Sequence, residues 1–135
     1  MPFRVIKQID FCYGHRLLNY SGKCRHLHGH NGRVEIVLQG DKLDELDMLV
    51  DFSEVKRTVK DWIDAELDHK MVLNRQDPLI PLLKEHEQPL YLMDCNPTAE
   101  ALAREICRVA CEHQFPVAEV RFWESPSSTA VYRVE

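Results

Sequence analysis

The period of the apolar residues switches twice along this chain, and that order limits the fold more than any single residue does. Phe3, Val5, Ile9 and Phe11 share one parity, interrupted by Lys7, which reads as a strand. Val34, Ile36 and Leu38 alternate with Arg33, Glu35 and Gln39 to give a second. From Asp51 to about Leu67 the spacing becomes helical, with Phe52, Val55, Val59, Trp62 and Ile63 on one stripe and Lys56, Arg57, Lys60 and Asp61 around the other side. Asn96 followed by Pro97 reads as the N-cap and first turn of a second helix, striped by Leu102, Ala103, Ile106, Val109 and Ala110. Alternation returns in Val117 to Glu124 and in Thr129 to Val134. The order ββααββ predicts an α+β fold, a four-stranded antiparallel sheet with both helices on one face. Residues 70–96, with Pro78, Pro81 and Pro89, are too many for a bare loop. They predict a short helical turn near Leu82 and Leu83 and a strand-like piece from Leu90 to Met93. Without an internal repeat or linker, residues 1–135 read as one domain.

The second face of the sheet would carry Ile6, Val37, Trp123 and Val131 among polar residues, too apolar for comfortable exposure. Cover by other copies of the same sheet resolves this, so a homo-oligomer is expected. Hydrophobic residues at 44% and charged residues at 29% fit an ordinary globular chain. No apolar run approaches the roughly 18 residues of a membrane span. The N-terminus lacks the order of a secretory signal, and the five cysteines are odd in number with no Cys-x-x-Cys array. The expectation is a cytoplasmic protein with reduced thiols and no membrane partner. A net charge of -5 argues against nucleic acid as a partner.

That average hides a local contrast. From Phe11 to Val34 there is no Asp or Glu, while Arg16, Lys23, Arg25 and Arg33 and four histidines fall in this window. A positive field there suits an anionic small molecule. Within it, Cys24-Arg25-His26-Leu27-His28-Gly29-His30 is the strongest signal. In an extended segment His28 and His30 point the same way, and Gly29 between them lets a metal approach the backbone. His15, at the end of the first strand, would complete a three-histidine site with an open position, the usual form of catalytic zinc. Cys24 has three possible roles: a fourth ligand that closes the site, a thiolate base beside the metal, or an inert thiol. Farther on, Asp68-His69 follows the first helix, where a carboxylate and an imidazole could serve proton transfer. Glu124 shares the parity of Val120 and Phe122, so its carboxylate points to the apolar face and needs a donor partner there. An Arg or Lys is one candidate, and a ligand with two adjacent N–H donors is the other.

The ordered set of Gly14-His15-Arg16-Leu17, Cys24 with His28-Gly29-His30-Asn31, Val50-Asp51-Phe52, Leu67-Asp68-His69 with Leu73-Asn74, Asn96-Pro97-Thr98-Ala99-Glu100 and Trp123-Glu124-Ser125 resembles the 6-pyruvoyl-tetrahydropterin synthase and 6-carboxy-tetrahydropterin synthase family. The resemblance spans nearly the whole chain. It implies the tunnelling fold (T-fold), a zinc ion, a 7,8-dihydroneopterin triphosphate substrate, and trimers that form a multi-subunit β-barrel and pair into a homohexamer. It also implies His15, His28 and His30 as zinc ligands, Cys24 as catalytic base, Asp68 and His69 as its proton-relay partners, and Glu124 as the pterin anchor. The sequence departs from the family pattern in three places. Tyr13 stands where a small residue is frequent, Gly32 where an aromatic is frequent, and Ser125 where Thr is common. The spacing of four from Cys24 to His28 resembles the bacterial carboxy-tetrahydropterin enzymes of queuosine precursor synthesis more than the animal enzymes. The expected activity is therefore a zinc-dependent lyase that forms 6-carboxy-5,6,7,8-tetrahydropterin and releases triphosphate and acetaldehyde. The alternatives are 6-pyruvoyl-tetrahydropterin synthesis, with triphosphate elimination alone, zinc-dependent hydrolysis or hydration, and a structural Cys-His₃ zinc module.

Overall fold

The structure, a computed structural model, describes residues 2–134. Its backbone is a long antiparallel hairpin, β1 (Phe3–His15) against β2 (His28–Gly40), in register from Phe3 opposite Gly40 to His15 opposite His28. A 3-10 turn, Lys23–Arg25, lies in the connection between them. After the helices, β5 (Val117–Ser125) pairs with β2 and β6 (Ser128–Arg133) pairs with β5, both antiparallel. These are the four strands expected from the alternation.

Two more strands extend the sheet. β3 (Lys70–Asn74) runs parallel to β1, and β4 (Leu90–Met93) runs parallel to β3, so the order is β4-β3-β1-β2-β5-β6 and the sheet is mixed. β4 occupies the piece expected at Leu90 to Met93, and α3 (Ile80–Glu85) the helical turn near Leu82 and Leu83. β3 has no counterpart in the sequence reading. Its consecutive Val72 and Leu73 are both buried, and a short strand covered on two faces does not alternate.

The first long helical segment is α1 (Phe52–Val55), a π-helical turn (Lys56–Lys60) and α2 (Asp61–Glu66) in unbroken succession. Asp51 caps it by accepting from the Ser53 N–H at 2.9 Å. Val55, Val59, Ile63 and Leu67 are all fully buried at steps of four. In a regular α-helix each such step drifts by about 40°. The wider π turn takes part of that drift back and keeps the four on one line. Phe52 is exposed instead of continuing the stripe, and Trp62 packs edge-on against Tyr91.

The second long helix, α4, runs Ala99–Glu112. The expected cap at Asn96 is corrected here, because Thr98 caps the helix by accepting from the Ala101 N–H at 3.1 Å. Asn96 spends its side chain elsewhere, exchanging two hydrogen bonds of 3.0 Å with the backbone of Leu18. Both helical layers cover one face of the sheet, packing Ile63, Leu102 and Ile106 on Ile9, Phe11, Val34, Ile36, Val120 and Phe122. Of the residues expected on the other face, Ile6 and Val131 are exposed and Trp123 is half-buried. Val37 is fully buried within the chain itself, set between Ile6 and Glu119 in the strand register at a β-bulge. Beside it Arg121 bridges Glu35 and Glu119, so this face is less apolar than expected. Among the described residues no helix is long and apolar enough to cross a membrane.

Candidate metal centre and pterin site

The core-facing parity of β1 passes through Ile9, Phe11 and Tyr13 and ends at His15, which is 1% exposed. On β2 the same face begins with His28 and His30 and continues through Val34 and Ile36. Antiparallel register sets His15 opposite His28 and Tyr13 opposite His30. The three imidazoles therefore close one end of the core, with ring centroids 4.5, 4.9 and 5.0 Å apart. One nitrogen of each lies within 4.8 Å of the others.

The second nitrogens explain the orientation. His15 Nδ1 lies 2.7 Å from the Pro97 carbonyl and His28 Nδ1 2.7 Å from the His26 carbonyl, so each donates there and leaves its Nε2 with a bare lone pair. The Nε2 atoms of His15, His28 and His30 are all buried without a hydrogen-bond partner. Burial is the main cause that lowers the pKa of His15 and of His30, against the Pro97 hydrogen bond and then Glu124 at His15, and against Glu124 at His30. Neutral imidazoles with converging lone pairs are the form a metal ion needs. The residues present fit a zinc ion with an open fourth position.

Glu124, on the core-facing parity of β5, reaches this group, its Oε1 3.3 Å from His15 Nε2 and 3.6 Å from His30 Nε2. Cys24 lies in the 3-10 turn, part-buried, with its carbonyl accepting from the Leu17 N–H at 2.8 Å. Its sulfur does not join the converging nitrogens. Asp68 and His69 form a pair of their own at the junction of β1 and β3. Asp68 Oδ1 accepts from the Cys12 N–H at 3.0 Å, and Oδ2 lies 2.9 Å from His69 Nδ1. Burial works to raise the Asp68 carboxyl, but these two contacts outweigh it and hold the pKa below its ordinary value. His69 is 78% exposed and sits in the left-handed region at φ 61°. A cavity of about 550 Å³ has His28, His30 and His69 in its walls, and a second of about 710 Å³ is bounded by Asp68, Asn31 and Trp123. The chain thus gathers His15, His28, His30 and Glu124 directly, and relates the Asp68–His69 pair to them only across open space.

The acid-free window is less positive in space than in sequence. Asp77, buried, receives Arg16 in a bidentate pair at 2.5 and 2.7 Å, and Asp10 pairs with Arg33 at 3.0 Å. Arg25 donates to the Ser21 carbonyl, lining a cavity of about 530 Å³ with Tyr20 and His26. Asp77, which the sequence did not single out, and Asn96 and Pro97, expected there as a helix cap and first turn, are positioning residues. Their polar groups serve partners some 60 to 80 positions away, at Arg16, Leu18 and His15.

A sheet of this topology closed by three histidines at the end of its first hairpin defines a small class of proteins. The sequence profile of the family described as 6-pyruvoyl tetrahydropterin synthase matches residues 4–135. A Rickettsia typhi protein named 6-carboxy-5,6,7,8-tetrahydropterin synthase is 41% identical over 102 residues, 74% of either chain. Proteins of the same name from Haemophilus influenzae and Aquifex aeolicus are 30% and 31% identical, covering 97% and 100% of this chain and 99% and 100% of their own. Among solved structures, an uncharacterized protein from Wolinella succinogenes superposes with a TM-score of 0.84 at 26% identity, over 100% of this chain and 99% of that one. Plasmodium vivax 6-pyruvoyltetrahydropterin synthase superposes at 0.77 and 20% identity, over 99% and 98%. The chain belongs to the 6-pyruvoyl tetrahydropterin synthase family of enzymes, and its fold is the T-fold.

Proposed function

We propose that the protein is a zinc-dependent 6-carboxy-5,6,7,8-tetrahydropterin synthase, which converts 7,8-dihydroneopterin triphosphate and water to 6-carboxytetrahydropterin with release of triphosphate and acetaldehyde. The observation that carries this reading is the set of three buried, partnerless Nε2 atoms on a chain whose near-full-length relatives bear that name. His15, His28 and His30 would hold zinc, which supplies Lewis acidity to the hydroxyls of the substrate side chain. Cys24, outside the converging set, is free to remove a proton from that side chain as a thiolate. His69, held by Asp68, would manage the opposite transfer. Glu124 would accept the amino group and adjacent ring N–H of the pterin in a forked pair. Lys23 and Arg25, in the acid-free window whose other Arg residues, Arg16 and Arg33, are ion-paired, remain for the triphosphate.

Cys24 is not among the walls of the cavity that holds His28, His30 and His69, and the sheet ends in two edge strands, β4 and β6. Both features support a homohexamer of two trimeric barrels in which neighbours complete one another's sites. The test is incubation of the zinc-loaded protein with dihydroneopterin triphosphate, followed by mass spectrometry. Carboxytetrahydropterin with stoichiometric acetaldehyde is expected. A 6-pyruvoyl product without acetaldehyde would move the assignment to the other branch of the family, and no turnover would remove it.

A further inference from the structure

Tyr13 is the last core residue of β1 before His15. It is buried, and its ring packs on Phe11 and Phe122 at 5.5 and 5.7 Å and against the His15 and His30 imidazoles at 5.2 and 5.7 Å. Gly32 makes the room. A Cβ there would lie 3.0 Å from Tyr13 Cε1 and 3.1 Å from Phe122 Cζ, both inside a packed core. Two of the three departures from the family pattern thus meet in space. A phenylalanine would fill this volume equally well, yet the chain places a phenol whose hydroxyl is buried without a partner. Such a group destabilises the fold unless something else supplies its acceptor.

The fold offers a matching acceptor. Glu124 directs Oε1 toward the Nε2 atoms of His15 and His30, neither of which is hydrogen-bonded, and its Oε2 has no hydrogen bond or ion pair among the described residues. A phenol is protonated at neutral pH, so Tyr13 has a hydrogen to donate. A cation held by the three Nε2 atoms would bring positive charge beside Oε1, and Oε2 would still be open to a hydrogen-bond donor. We propose that Tyr13 is the positioning residue for Glu124: with metal bound, its hydroxyl donates to the Glu124 carboxylate and fixes the edge that faces a planar pair of N–H donors. That last step rests on the pterin reading, whereas the Tyr13–Glu124 pair does not.

The experiment is a double-mutant cycle on Tyr13→Phe and Glu124→Ala, read as melting temperature with zinc bound and after its removal, together with titration by an oxidised, unreactive pterin. With zinc, Tyr13→Phe should lower the melting temperature of the wild type and leave that of Glu124→Ala unchanged. Without zinc the two effects should add. Tyr13→Phe should retain zinc yet weaken pterin binding on the order of tenfold, the size of one hydrogen bond to a charged acceptor. Gly32→Ala, which displaces the ring, should weaken it as well. Additive effects with zinc bound, or a Tyr13→Phe loss that is the same with and without zinc, would overturn the proposal. If the wild type binds no pterin, the functional reading falls, and the melting cycle still decides the Tyr13–Glu124 pair.

Discussion

Removing one imidazole from a set of three leaves a divalent ion two protein ligands, too few for the tetrahedral zinc sites known. His15→Ala, His28→Ala and His30→Ala are each expected to lose zinc, measured by elemental analysis of the folded protein, and with it turnover. Retained zinc in all three would dismiss the centre. Cys24 stands apart from the converging nitrogens, so Cys24→Ala should keep zinc and the fold while turnover falls on the order of 10²–10⁴-fold, the usual weight of a proton-transfer group. If zinc departs with the thiol, Cys24 is a ligand and the structural Cys-His₃ module gains. Glu124 was legible from parity alone, because a carboxylate in line with Val120 and Phe122 has to meet a partner. Tyr13 stood out only as a departure from the family pattern, since nothing local shows that its hydroxyl lacks an acceptor.

At the scale of elements, the exit of β1 is held by side chains from distant loops. Asp77 grips Arg16 next to His15, and its carboxyl is buried. Burial works to raise its pKa, but the bonds from Arg16 and the Leu79 N–H outweigh this and hold it below the ordinary 3.8. The unfolded chain therefore takes up this proton at higher pH than the folded one. The stability from the pair is complete above the ordinary value and is lost as pH falls through the folded one. Asp77→Asn leaves Arg16 without its counter-charge and should cost about 3 kcal/mol near neutrality. Urea unfolding of both proteins across pH should show that difference shrink below about pH 4. A pH-independent difference would mean that the loss comes from shape and not from charge. Elements with a clean period, such as α4 and the β1–β2 hairpin, were readable. Asn96 was misread because a capping residue and a loop-binding residue have the same chemistry, and only the approach of Leu18 distinguishes them.

For the whole molecule, the absence of Cys24 from the cavity wall that carries His69 and the two open sheet edges lead to the same expectation, a ring of chains with shared sites. Chains of Cys24→Ala and His69→Ala, each inactive alone, are expected to recover part of the activity when unfolded and reassembled together. Mixed assemblies that stay inactive would confine each site to one chain. Light scattering should find a symmetric oligomer, and a monomer at micromolar concentration would leave the exposed Val131 and Tyr132 on β6 without cover.

Strand parity and helical stripes are local properties, so the sequence by itself determined the four antiparallel strands, the two helical layers on one face, and the residue types and directions of His28, His30 and Glu124. Long-range pairing is not local. That His15 meets His28 follows from a thirteen-residue hairpin register, and that its Nε2 is the free nitrogen follows from a carbonyl 82 positions away. The parallel strand Lys70–Asn74, the neutralisation of Arg16 and Arg33 by Asp77 and Asp10, and the space that Gly32 leaves for Tyr13 were decided only by tertiary structure. A short buried strand carries no period, a charge does not reveal its counter-ion, and a glycine does not show which ring lies against it.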